Sequence, residues 1–179
     1  MVNYWFISDT HFGHTNIIKY DQRPFPDIQT HDRTLIANWQ AVVQPDDEVY
    51  HLGDFAFASQ ARVKQIINQL PGKIYHIQGN HDKVILKNAD VRACFIWSKP
   101  LFDLKLQWKG QRLQITLCHY SMRVFNKSHH GALQFYGHSH FGLPGNTQQL
   151  NVGVMHWGYT PVRLEQALSK LPTLTKYSP

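Results

Sequence analysis

Cysteine is scarce: there are two in 179 residues, Cys94 and Cys118, far apart and each inside an apolar run. That excludes a disulfide-stapled framework and any paired-cysteine zinc motif, and it reads as two buried free thiols in a reducing cytoplasm. Long hydrophobic runs are also missing. No stretch approaches the ~20 apolar residues that span a bilayer, so no membrane segment is expected. Met1 leads straight into an apolar run over 2–7, without the basic stretch or small-residue cleavage site of a signal peptide. Acidic residues are few, 12 against 18 Lys and Arg, for a net formal charge of +6. The basic residues are dispersed, which argues against a dedicated nucleic-acid arm while favouring anionic substrates in general. Neither repeats, low-complexity tracts nor linkers interrupt the chain. With 42% hydrophobic and 17% charged residues, positions 1–179 read as one globular domain with no obligatory protein partner.

What is present is an alternation of periods. Residues 3–8, 48–52 and 73–78 read as buried strands. Between them lie a short helix over 16–20 ended by Pro24, a helix carrying Leu35, Ile36, Trp39, Val42 and Val43, and a third carrying Val63, Ile66, Ile67 and Leu70. Ser59 is placed to cap that third helix, and Pro71-Gly72 to stop it. This is the pattern of a parallel sheet with covering helices. The second half is strand-rich, with strands expected over 93–98, 101–107, 112–118, 133–136 and 149–154 and a turn at Lys109-Gly110. A last helix is expected over 162–171, with Thr160 as cap and Pro161 in its first turn. The fold class that follows is α/β, two packed mixed sheets flanked by helices.

Five of the hydrophobic runs end in the same kind of residue. They close on Asp9-Thr10-His11, Gly53-Asp54, Gly79-Asn80-His81-Asp82, His119 and Gly137-His138-Ser139-His140. Carboxylate, amide and imidazole are the oxygen and nitrogen donors of a borderline divalent cation, and seven such side chains with Asp54 shared suffice for two ions. In open α/β sheets, ligands bind beyond the carboxyl ends of the strands, where loops from several strands meet. Gly53 and Gly79 leave space just before Asp54 and Asn80.

In order and spacing, these residues resemble the motifs of the calcineurin-like metallophosphoesterase superfamily: Asp-x-His, Gly-Asp, Gly-Asn-His-Asp/Glu, His and Gly-His-x-His. The likeness spans residues 9–140, and Ser8-Asp9-Thr10-His11-Phe12-Gly13-His14 is similar to the small stand-alone bacterial and phage members. Carried over by position, the resemblance implies one metal on Asp9, His11, Asp54 and His140. It implies a second on Asp54, Asn80, His119 and His138, with Asp54 bridging. His129 and His130 compete with His119 for its single-residue motif.

Two such ions support in-line attack of a bridging hydroxide on a phosphate ester, so no serine or cysteine nucleophile is needed. His81 resembles the histidine that assists the leaving group, with Asp82 expected to orient its ring. The donor set is compatible with manganese first, and with iron, zinc, nickel or cobalt. His14 and Arg123 are candidate substrate contacts. Arg23 reads as a surface or locally bonded residue, and His31, His51, His76 and His156 as structural or surface histidines. Phe12, Phe55, Tyr120 and Phe141, each next to a donor, read as core packing rather than as platforms for a nucleobase. Trp157-Gly158-Tyr159 is open between core and interface.

The implied activity is hydrolysis of phosphodiesters, and also of monoesters, with a phosphate-ester substrate that includes nucleotides. The competing readings are a DNA or RNA nuclease, a nucleotide-end phosphatase and a non-catalytic scaffold. A protein Ser/Thr phosphatase fits poorly, because Gly53-Asp54 continues into Phe55-Ala56-Phe57 instead of that branch's Val-Asp-Arg-Gly run.

Overall fold

Consecutive buried residues in the short parallel strands fill both faces of a central sheet, with helices covering one face and a second sheet the other. The structure is a computed structural model and describes residues 2–143 and 147–171. In chain order the elements are β1 (Tyr4–Ile7), α1 (Thr15–Tyr20), α2 (Ile28–Val42), β2 (Glu48–His51), α3 (Gln60–Ile67), β3 (Lys73–Ile77), α4 (Lys83–Lys87) and α5 (Ala89–Arg92). They continue with β4 (Ser98–Lys99), β5 (Leu101–Trp108), β6 (Gln111–Cys118), β7 (Leu133–Tyr136), β8 (Gln149–Asn151), β9 (Val162–Arg163) and α6 (Leu164–Lys170).

Two mixed sheets result. The first has the order β4-β3-β2-β1-β9, parallel except for the antiparallel β9. The second has the order β5-β6-β7-β8, with an antiparallel β5–β6 hairpin and parallel pairing onward. Along β1, Trp5 and Ile7 face the helices and join Leu35, Trp39, Val63 and Ile66 in one core. Phe6 faces the other way and meets Ile115, Leu117 and Phe135 of the second sheet in another. Asp27 caps α2 by accepting from Thr30 N, and Ser59 caps α3 by accepting from Arg62 N.

β1, β2 and β3 run parallel, so their carboxyl ends share one edge of the sheet. The two sheets join at that edge. Ser8, just past β1, pairs with Gly153, just past β8, through Ser8 N to Val152 O and Val154 N to Ser8 O, both 3.1 Å. The motif residues all follow strands that end there.

Three local expectations are corrected. The strand expected over 93–98 is a turn that follows α5, with only Ser98–Lys99 extended as β4. Val91 and Phe95, four apart, are both buried against the first core, and that helical spacing governs the segment. The last helix starts at Leu164 instead of 162. Val162 and Arg163 pair with the free edge of β1, and Gln166 caps the helix by accepting from Arg163 N. Cys94 and Cys118 are free thiols but half-buried. Trp157 and Tyr159 belong to the interior packing: Trp157 Nε1 donates to Asn151 O at 2.9 Å, and the Tyr159 ring meets Phe25 at 4.8 Å. The tail from Pro172 lies outside the described residues.

Candidate metal centre

The seven donor residues converge at the shared edge. Single donor atoms of Asp9, His11, Asp54 and His140 all lie within 4.8 Å of one another, and so do those of Asp54, His119 and His138. Asp54 belongs to both groups. Its Oδ2 is 3.6 Å from His11 Nε2 and 3.4 Å from His119 Nε2. Asn80 joins the second group, its Oδ1 3.1 Å from His119 Nε2. The His129 and His130 rings lie 4.1 Å apart, tilted at 45°, exposed and outside the cluster.

The chain gives up backbone comfort to bring these groups together. Asp9, His11, Asp54 and His138 all have positive φ, between 49° and 65°. Non-glycine residues in this region cost of order 1–3 kcal/mol each, and they persist only where their surroundings hold them. Those surroundings are identifiable. Arg23, read from the sequence as a surface or locally bonded residue, is buried and donates to the carbonyls of Asp9 (2.9 Å) and Thr10 (3.2 Å) and to the Asp21 carboxylate. The backbone N–H of His138 donates to the Asp9 carboxylate at 3.0 Å, and His81 N–H to Asp54 Oδ1 at 2.8 Å. Gly79 is obligatory here, because a Cβ at that position would fall on the Asp54 backbone nitrogen and carboxylate.

Asp82 has a different task from the one expected. Its carboxylate accepts from the backbone N–H groups of Asp54 (2.9 Å), Phe55 (2.8 Å) and Gly79 (2.7 Å), and it pairs with His76 Nε2 at 3.0 Å. No hydrogen bond joins it to the His81 ring among the described residues. Asp82 therefore fixes the Gly53-Asp54 turn against the Gly79-Asn80 turn, and does not orient His81. Burial opposes its charge, but the His76 hydrogen bond and charge, His51 and the Gly79 N–H outweigh that and hold the carboxyl well below the usual range.

Two imidazoles are held from behind. His119 Nδ1 donates to Leu52 O at 2.7 Å, and His140 Nδ1 to Asp21 Oδ1 at 2.7 Å. Donation from Nδ1 leaves the Nε2 lone pair of each neutral ring facing inward. There the His140 lone pair meets His11 Nε2 at 3.3 Å and Asp9 Oδ1 at 3.4 Å, while that of His119 meets Asp54 and Asn80 oxygens. Acceptors thus face acceptors, an arrangement that a cation satisfies. Where no cation is bound, a proton takes that place on His140: against its burial, the Asp21 and Asp9 carboxylates raise its pKa to about 9, so metal binding there displaces a proton. Burial lowers the His11 pKa to about 2, leaving it the neutral ring a metal requires. The donor set, all oxygen and imidazole nitrogen, fits divalent metals of the manganese-to-zinc series.

Around the cluster, the His81 ring is 5.4 Å from that of His11, and the His14 ring is 5.2 Å from it. His14 is thus at the site, whereas Arg123 is exposed on the segment after β6 and, among the described residues, has no hydrogen bond or ion pair with the cluster. Phe12 and Phe55 are core residues, as expected. Tyr120 and Phe141 are not: they are 45% and 72% exposed, and Tyr120 lies 4.7 Å from the His138 ring. Asp21 is a residue of the cluster's surroundings that the motifs do not mark. Its partner His140 is 119 positions away, and no local pattern links the two.

The chain is similar to several known proteins. An uncharacterized protein of Methanocaldococcus jannaschii is 46% identical over 81 residues, 44% of this chain and 46% of that protein. The gene 66 protein of Mycobacterium phage L5 is 39% identical over 93 residues, 50% of this chain and 44% of that protein. The chain spans about half the length of the curated relatives it matches. A solved structure of a protein of unknown function from Aquifex aeolicus superposes with a TM-score of 0.72 at 26% identity, covering 96% of this chain and 100% of that one. The family model described as the calcineurin-like phosphoesterase superfamily domain matches residues 3–157, a stretch that contains all five motifs. The chain belongs to the calcineurin-like phosphoesterase superfamily.

Proposed function

We propose that this chain is a metal-dependent hydrolase of phosphoesters, with phosphodiesters preferred over monoesters, acting through two divalent ions. Asp9, His11, Asp54 and His140 would hold one ion, and Asp54, Asn80, His119 and His138 the other. The observation that carries the reading is the Asp54 carboxylate, which lies between two groups of inward-facing imidazoles. Bound there, such ions supply a nucleophile from water near neutral pH and stabilise charge on the attacked phosphate. Manganese is the first choice, with iron, zinc, nickel or cobalt compatible. Free Cys94 and Cys118 support a cytoplasmic setting.

The chain's own residues set the geometry. Leu52 O and Asp21 orient His119 and His140, Arg23 ties down the backbone of Asp9 and Thr10, and Asp82 fixes Asp54 against Gly79. His81 would protonate the leaving oxygen, a role supported by its backbone anchor to Asp54 and its ring beside His11. His14 is the nearer candidate for substrate contact.

The test is hydrolysis of bis(p-nitrophenyl) phosphate by protein stripped of metal and then reloaded with manganese. Turnover should depend on the metal. Asp54→Asn, which keeps a residue tolerant of positive φ, should lower it by on the order of 10³ with the circular dichroism spectrum retained. Equal turnover with and without metal contradicts the proposal.

A further inference from the structure

A cleft of about 250 Å³ opens beside His81, lined by Ala56, Phe57, Ala58, His81, Lys83 and Val84. Its position is fixed by the centre itself. Phe12 pairs with Ala56 in an isolated bridge, Phe57 N donates to Phe12 O at 2.9 Å, and a Cβ on Gly13 would touch that of Ala58. The loop that follows Asp54 is therefore laid against the loop that follows Asp9, and the cleft continues outward from both.

Its chemistry is specific. Alanine and valine side chains give an apolar lining. Phe57 is 57% exposed, so a large aromatic face is left to solvent at the mouth of a polar site. That ring is held in place, 4.9 Å from the His14 ring at 31° and 6.2 Å from the His81 ring. Lys83 adds an exposed ammonium. Pockets that enclose drug-sized ligands run to roughly 300–1,000 Å³, so this smaller space takes one ring system and not a long chain.

We infer that this cleft is the subsite for a nucleobase of a nucleoside phosphate ester, stacked on Phe57 with Lys83 beside its polar edge. The inference rests on the proposed phosphoesterase centre and names the substrate class for it. A flat ring with a hydrogen-bonding rim matches an apolar floor, one aromatic wall and one cation. Because the cleft adjoins His81, the ring carried by the leaving alcohol is the one it receives.

The test measures binding, not turnover. Calorimetry on manganese-loaded protein compares adenosine 5′-monophosphate, glycerol 3-phosphate and hexyl phosphate, which share a phosphate group and differ in what they offer the cleft. The nucleotide should bind about tenfold more tightly than glycerol 3-phosphate, the gain expected of one stacked base, and also more tightly than hexyl phosphate. Phe57→Ala, at an exposed position, should bring the nucleotide-to-glycerol ratio toward one. Ala58→Leu should do the same by filling the space, and circular dichroism checks both folds. Equal affinities, undetectable nucleotide binding, hexyl phosphate as the tightest ligand, or a ratio untouched by both variants overturns the assignment. Loss of metal-dependent diester hydrolysis instead counts against the catalytic proposal, so the two failures are distinct.

Discussion

Asp21 Oδ1 lies 2.7 Å from His140 Nδ1, and the same carboxylate accepts from the Arg23 guanidinium at 2.8 Å. The pair ties the loop after α1 to the last motif of the centre. It fixes the His140 tautomer so that Nε2 faces Asp9 and His11. Partners of this kind, behind a ligating histidine, are worth 10–100-fold in metal affinity. Asp21→Asn should therefore weaken manganese binding by about that factor, measured by titration of metal-free protein, with the fold intact. Unchanged affinity would show that His140 needs no support from behind.

His81 has a contribution separable from the metals. His81→Ala should keep the metal content of the wild type while slowing hydrolysis by roughly 10²–10⁴ for esters with basic leaving groups, the range for a positioned general acid. A series of methyl aryl phosphates with rising phenol pKa checks this. The variant's rates should fall more steeply along the series than those of the wild type. Parallel slopes would remove His81 from proton transfer.

Asp82 makes a prediction about acid stability. Its carboxyl is held below the ordinary value of 3.8, despite burial, by His76, His51 and the Gly79 N–H. A carboxyl depressed in the folded state stabilises it above the unfolded pKa, and that contribution is lost as pH falls through the lowered value. Asp82→Asn should cost about 3 kcal/mol near neutrality, because three backbone donors and His76 lose their charged acceptor. The difference in Tm between wild type and variant should shrink as pH drops below 3.8. A difference constant with pH would mean that the carboxyl carries no linked charge.

How much of this was legible in the sequence depends on the range of the interaction involved. β1, β2 and β3 were readable because each is a short apolar run that ends on glycine or a polar donor. The convergence of Asp9, Asp54 and Asn80 follows from the shared direction of those strands. Segment 93–98 misled because Cys94, Phe95 and Ile96 carry strand-like side chains, while Val91 and Phe95 are set by packing against the helical core. β9 was hidden for a similar reason: Val162 looks like a helix start until the unpaired edge of β1 is known. The supporting network was the least visible part. Asp21 with His140, Arg23 with the carbonyls of Asp9 and Thr10, and Asp82 with the Gly53-Asp54 turn are tertiary contacts, and neither periodicity nor motif spacing encodes them. The residues expected as donors do meet in one place. His81 and His14 stand beside them, and Arg123 stands apart.

The central claim is that the Asp54 carboxylate joins two cation sites. Anomalous diffraction from crystals soaked in manganese tests it most directly. Two peaks per chain are predicted, one among Asp9, His11 and His140 and one among Asn80, His119 and His138, with an Asp54 oxygen reaching both. A single peak, or peaks remote from Asp54, would contradict it.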